Sequence, residues 1–249
     1  MKLVKSPLAL ERGLERLNKV YKAMLEEELG KAQPDLERVK RIIDKGNELI
    51  DSRTKQAMRI VVRDKKFPAV LTDSYFKELV LTRIGENLTH SIVLMDIDDF
   101  KKKVNDIPGY GHPMGDKVLR CYTEALQEFA ETFRGFAGRH GGEEFELYLP
   151  LKPYEAALFL KTKFIPILKQ KYEQYNIPRP AQRLCSAGIS TEGKRKPLKG
   201  KEQFKMWREL KQKIFSRMIE DADKLMYKAK DSGKAQIKLD EGLSVHLSW

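Results

Sequence analysis

The chain is poor in cysteine, with Cys121 and Cys185 the only two among 249 residues, each inside an apolar, regular segment. That excludes a disulfide-framework protein, and two reduced, buried thiols are expected. Long apolar runs are missing as well. The best of them, such as Ile92–Met95, falls far short of the roughly 20 residues that cross a bilayer. Met1–Leu10 carries two lysines but neither the apolar stretch nor the small-residue cleavage site of a secretory signal, so a cytoplasmic protein without a membrane span is expected. Histidine is scarce, and neither His112 nor His140 has a second histidine at metal-binding spacing. Both read as structural. No internal repeat of fixed period is visible, and the composition is not that of a fibrous or collagenous chain.

What is present is a soluble, charged composition: 41% hydrophobic and 34% charged residues, enough for a buried core under a heavily charged surface. Lys and Arg number 48 against 36 Asp and Glu, a formal net charge of +12, and such a field favours anionic partners. Part of the excess is local. Lys194–Lys213 holds nine basic residues and two acids, and reads as a solvated face. The interleaving of Phe204 and Trp207 with Lys205 and Arg208 makes nucleic acid the less favoured reading of that stretch.

The first third reads as helix. Leu10, Leu14, Leu17, Tyr21 and Met24 recur at spacings of four and three, as do Leu36, Val39, Ile43, Gly46 and Ile50 beyond the break at Pro34. Residues 1–67 are therefore expected to form a helical hairpin or dimerisation stalk, and residues 68–249 a second domain. There, His90–Ile97 is a short β-rich run, and Gly115–Phe133 has one apolar face with Val118, Leu119, Tyr122, Leu126 and Phe129. Phe136–His140 and Glu143–Leu149 flank Gly141-Gly142 as a hairpin would. Helix at Tyr154–Tyr175, strand at Arg183–Ser190, helix at Ile214–Lys230 and strand at Ala235–Leu239 follow. Interleaved helices and hairpins predict an α+β fold, a mixed sheet flanked by helices.

Two acidic clusters stand where the chain must turn: Asp96-Ile97-Asp98-Asp99 at the end of the apolar strand, and Glu143-Glu144 after the double glycine. A strand end and a hairpin tip on neighbouring strands can bring their carboxylates together, where they repel unless neutralised. Mg²⁺ relieves that repulsion with one or two carboxylates, sometimes a carbonyl, and completes its shell with substrate phosphates. A metal-dependent phosphoryl or nucleotidyl site follows.

The ordered blocks Met95-Asp-Ile-Asp-Asp-Phe-Lys101, Asn105-Asp106, Gly111-His112, Gly115-Asp116, Arg139-His-Gly-Gly-Glu-Glu-Phe145 and Ala222-Asp-Lys-Leu-Met-Tyr-Lys-Ala-Lys-Asp-Ser-Gly-Lys234 resemble the GGDEF family of bacterial diguanylate cyclases. The resemblance implies a palm-like fold and a homodimer in which two GTP molecules are condensed to cyclic di-GMP and pyrophosphate, with Mg²⁺ or Mn²⁺. It implies Asp96 and Glu143 as metal ligands with the Ile97 carbonyl, and Glu144 assisting the metal or the deprotonation of the attacking hydroxyl. Asn105 and Asp116 would read the guanine edge. Phe100 and Lys101 would lie under the phosphates, and Lys230 and Lys234 would hold triphosphate oxygens.

Three departures from the family pattern carry expectations of their own. One additional lysine among Lys101–Lys103, and Ile107-Pro-Gly-Tyr110 where two residues are usual, are expected to displace Asn105 by several ångströms, at ~3.3 Å per extended residue. No aspartate occurs between Lys117 and Gly142, so the family's Arg-x-x-Asp product-inhibition site is not expected. No receiver, haem or small-molecule sensor is recognisable ahead of the domain, so control is expected through the helices or a partner. The rival readings are a degenerate, nucleotide-binding regulatory module and a palm enzyme using another nucleotide.

Overall fold

The computed structural model describes residues 19–28, 30–31, 35, 37–48, 63–84, 89–193, 201–239 and 242–249, with backbone alone over 201–208. The chain divides into two compact units, Met1–Lys65 and Lys66–Trp249. Of the residues on which sequence patterns were read, Leu10, Leu14, Leu17, Leu36 and Ile50 lie outside the described residues, as do Lys194–Gly200 and the side chains of Phe204, Lys205, Trp207 and Arg208.

In the first unit, helices α1 (19–28) and α2 (37–48) form an antiparallel hairpin. Tyr21 packs against Gly46, where an added Cβ would stand 3.0 Å from the ring. At the other end the buried Glu28 carboxylate accepts from Lys31 at 2.7 Å and Arg38 at 3.1 Å. Of the periodic residues, Gly46 is buried while Ile43 and Met24 are 43% and 42% exposed, and Ile42 is buried beside them.

The second unit is a seven-stranded mixed sheet in the order β1-β3-β4-β2-β5-β6-β7. Its strands are β1 (Leu71–Thr72), β2 (His90–Ile97), β3 (Phe136–Gly141), β4 (Glu144–Leu149), β5 (Cys185–Glu192), β6 (Gln236–Leu239) and β7 (Ser244–His246). β2 is buried along its whole length between β4 and β5, antiparallel to both. That explains its unbroken apolar run: a strand covered on both faces has no reason to alternate.

The two faces carry different helices. Val93, Met95, Phe145, Leu147, Ala187 and Ile189 face a core shared with α4 (Gly111–Thr132) and α6 (Ile165–Gln174). Tyr122 of α4 stacks on Phe145 with ring centroids 5.9 Å apart. On the opposite face, α3 (Asp73–Arg83) lies against β3 and α7 (Lys201–Asp231) against β2, β5 and β6. Gly188 makes this close packing of α7 feasible, since a Cβ there would come within 2.0 Å of the Ala222 carbonyl oxygen.

The α+β class and the β3–β4 hairpin around Gly141-Gly142 stand as read from the sequence. The differences are α7, which begins at Lys201 rather than Ile214, the additional helix α3, the short edge strand β7, and a π-helical turn, Leu160–Phe164, joining α5 (Pro153–Phe159) to α6. Cys121 and Cys185 are buried and free, and burial pushes the Cys121 thiol up to about 12.

Candidate active site

Asp96, one residue from the end of β2, stands opposite Glu144 of β4 on one side and Ser186 of β5 on the other. Directly paired residues of antiparallel strands share a face, so Glu144, Asp96 and Ser186 form one polar row on the α7 side. The hairpin tip is tied to the same place. The Ile97 N–H donates to the Glu143 carbonyl at 3.3 Å, and the Arg139 guanidinium closes the turn on the Gly142 carbonyl at 2.7 and 3.1 Å. Gly142 turns at φ +45, the left-handed region that glycine reaches without strain.

Each acid of the β2 end has a partner. Lys230, in the last turn of α7, places Nζ 2.8 Å from the Asp96 carboxylate. Burial pushes the Asp96 carboxyl above its ordinary range, and Lys230 offsets this only in part. Asp98, also raised by burial, accepts from Ser186 Oγ at 2.7 Å and the Ala235 N–H at 2.9 Å. It thereby fixes the turn after α7 to the end of β2. Asp99 takes a left-handed φ of 55 and holds Lys234 at 2.5 Å, Arg183 at 3.5 Å and Lys103 at 3.8 Å. The hydrogen bond from Lys234 holds its carboxyl below the ordinary range.

Asp96, Glu143 and Glu144 are an all-oxygen donor set of the kind Mg²⁺ and Mn²⁺ take, and the partial protection of Asp96 from water suits a cation. Their carboxylates do not all lie within 4.8 Å of one another. Among the described residues the group that does is Asp73, His140 and Glu146. The Lys230 ammonium is the counterion of Asp96.

Asn105 closes a π-helical turn. The extra lysine is taken up in a π-helical turn, Lys101–Asn105, whose defining bond runs from the Asp106 N–H to the Lys101 carbonyl at 2.8 Å. A π turn is the usual way a helix absorbs one inserted residue. Phe100 and Val104 stay in the core while the Lys101 side chain is exposed. The longer loop turns at Gly109, φ +84. Asn105 therefore lies directly over Gly115, where a Cβ would sit 2.1 Å from its amide oxygen, next to Asp116. That oxygen is buried and has no hydrogen-bond partner. Asp116 itself is paired with Lys66 at 2.6 Å.

The structure thus gathers Asp96, Glu143, Glu144, Lys230 and Lys234 at one end of the sheet and sets Asn105 over Gly115, the residue before Asp116. Sequence reasoning missed Lys66 and Arg183 as parts of these clusters, whereas Asp99 was legible as a third acid within four residues.

The family model for "Diguanylate cyclase, GGDEF domain" matches residues 70–236. The chain belongs to the GGDEF family. Relatives include the uncharacterized protein YtrP of Bacillus subtilis (strain 168), 24% identical over 203 residues, 78% of this chain and 31% of that protein. Diguanylate cyclase DgcM of Escherichia coli (strain K12) is 38% identical over 90 residues, 36% of this chain and 21% of that protein. The chain spans less than a third of the length of either. Among solved structures, diguanylate cyclase SiaD with its activator SiaC from Pseudomonas aeruginosa superposes with a TM-score of 0.57 at 21% identity, covering 92% of this chain and 81% of that one. The coiled coil and GGDEF domain of DgcB from Caulobacter crescentus, in complex with c-di-GMP, gives 0.53 at 20% identity, covering 80% and 97%. Both are likenesses of fold. The family is one of cyclic di-GMP synthesis.

Proposed function

We propose that this chain is a metal-dependent diguanylate cyclase that works as a homodimer. The observation that carries the reading is the row in which Asp96 faces Glu144 at the hairpin tip while Lys230 reaches Asp96 from α7. The half-exposed Asp116 carboxylate supports GTP as the substrate, because guanine presents N–H donors that a carboxylate accepts.

Bound Mg²⁺ or Mn²⁺ would supply charge for the triphosphate and polarise the α-phosphate. Asp96 and Glu143, with the Ile97 carbonyl, would hold it. Glu144 shares in holding the cation and in accepting the 3′-hydroxyl proton. The hydroxyl oxygen of one nucleotide forms a bond to the α-phosphorus of the other as the bond to pyrophosphate breaks. Repeated in the opposite sense, this closes the ring and releases a second pyrophosphate. Lys230 and Lys234 move from Asp96 and Asp99 onto phosphate oxygens, so that binding exchanges an internal counterion for the substrate's charge. Phe100 and Lys101 underlie those phosphates.

Each protomer holds one of the two reacting nucleotides, so alignment of two copies supplies the effective molarity of the reaction. The exposed Val20, Met24 and Ile43 on the α1–α2 hairpin are apolar surface for that pairing. The test is incubation of the purified chain with GTP and Mg²⁺ and chromatographic separation of products. Asp96→Ala and Glu143→Ala are expected to abolish turnover while leaving the fold intact.

A second reading, a nucleotide-binding module without turnover, is favoured by the Lys66–Asp116 and Lys234–Asp99 pairs, which occupy two substrate-facing groups. Nucleotide binding without product in the same assay would select it.

A further inference from the structure

We propose that Asp73, His140 and Glu146 form a second cation site, separate from the Asp96 cluster, for a divalent transition metal of the Zn²⁺ class. The three come from three elements. Asp73 opens α3, His140 stands at the irregularity where the β3–β4 register shifts between Arg139 and Gly141, and Glu146 lies on β4. A bulge of this kind re-aims a side chain, and here the imidazole is brought to the carboxylates. His140 Nδ1 lies 3.1 Å from Asp73 Oδ1 and 4.0 Å from Glu146 Oε2, and one ligand atom from each residue falls within 4.8 Å of the others.

Glu146 is the independent sign of a ligand. Its side chain is fully buried, and neither carboxylate oxygen has a hydrogen-bond partner. The chain makes room for it: Gly138, its pair on β3, has no Cβ, and one placed there would meet Glu146 Oε1 at 2.6 Å. A buried carboxylate without a partner is expensive, and a metal ion at the junction with His140 and Asp73 removes that cost.

The donor chemistry selects the ion. One imidazole and two carboxylates suit Zn²⁺ and its first-row neighbours, whereas Mg²⁺ and Ca²⁺ prefer oxygen alone. With bonds of about 2.0–2.2 Å, a tetrahedral shell spaces its ligands roughly 3.3–3.6 Å apart, between the 3.1 and 4.0 Å that separate His140 Nδ1 from Asp73 and Glu146. His140 and Asp73 are about half exposed, and His140 also borders a groove of about 450 Å³ between the hairpin and α7, which gives an ion access. Occupancy would pin the start of α3 to the hairpin that carries Glu143 and Glu144.

The test is calorimetric titration of the metal-stripped full chain with Zn²⁺ in millimolar Mg²⁺, which holds the all-oxygen cluster occupied. Co²⁺ absorption serves as a second readout of a nitrogen- and oxygen-ligated site. One equivalent is expected in the unmodified chain and in Asp96→Asn, with affinity lowered by at least about tenfold in His140→Ala and in Glu146→Gln. Saturating Zn²⁺ is expected to raise the thermal midpoint of the unmodified chain and not of His140→Ala. Circular dichroism of the chelated variants establishes that they are folded. Three results would overturn the proposal: no Zn²⁺ binding, which would leave His140 as a hydrogen-bond partner of Asp73 and no more; binding undiminished in both variants; or loss of the equivalent in Asp96→Asn.

Discussion

Asp96 and Glu146 lie on neighbouring strands and point to the same face of the sheet, yet their surroundings are opposite in kind. At the end of β2 and in the turn after it the acids are answered: Lys230 for Asp96, Ser186 and the Ala235 amide for Asp98, Lys234 with Arg183 and Lys103 for Asp99. Around Glu146 neither oxygen is answered, and burial together with the Asp73 charge pushes its carboxyl up to about 9. The comparison teaches that acidic residues on one sheet face divide into two types. One type already carries internal counterions that a triphosphate or cation can displace; the other waits for a cation that the polypeptide does not supply.

The comparison breaks most visibly in turnover. Asp96→Asn and Glu143→Ala are each expected to lower cyclic di-GMP formation by at least about 100-fold, with unchanged circular dichroism. Undiminished product in either variant would remove the site. Stability separates the two types by sign. Asp98→Ala strands the Ser186 hydroxyl and the Ala235 amide, and is expected to cost about 1–3 kcal/mol in denaturant unfolding. Glu146→Leu, measured with chelator present, is expected to stabilise by about 1–3 kcal/mol, because an unpartnered polar group leaves the core. Destabilisation by Glu146→Leu under those conditions would mean that the carboxyl has a structural partner after all. The smallest effect is expected from Lys66→Ala. Freeing Asp116 from an exposed ion pair worth about 0–1 kcal/mol should lower the apparent KM for GTP by no more than about fivefold. A raised KM would show instead that Lys66 contributes to nucleotide binding.

The sequence made the central strand legible because the apolar run Ile92–Met95, too short for a helix, does not alternate with polar residues, as a strand covered on both faces need not. The hairpin was legible from Gly141-Gly142, and α4 from its apolar face. Other features depend on contacts distant in sequence. Within α2, Ile42 is buried and Ile43 exposed, which the spacing of its apolar residues does not report. The fate of the inserted lysine was illegible for a similar reason. A count of residues cannot tell a loop that swings outward from a π turn that absorbs the addition in place.

Within the site, Lys230 and Lys234 were readable from their motif, but their partners Asp96 and Asp99 emerge only once α7 is laid across Gly188. His140 was read as structural for want of a second histidine. The overlooked signal was Glu146, a charge on the otherwise apolar strand Phe-Glu-Leu-Tyr-Leu, whose position opposite Gly138 requires the β3–β4 register.

The most direct test of the enzymatic reading is the product made by the unmodified chain from GTP and Mg²⁺, resolved by chromatography with pyrophosphate measured alongside. The account predicts cyclic di-GMP with two pyrophosphates released per ring closed. GTP bound but returned unchanged would contradict it.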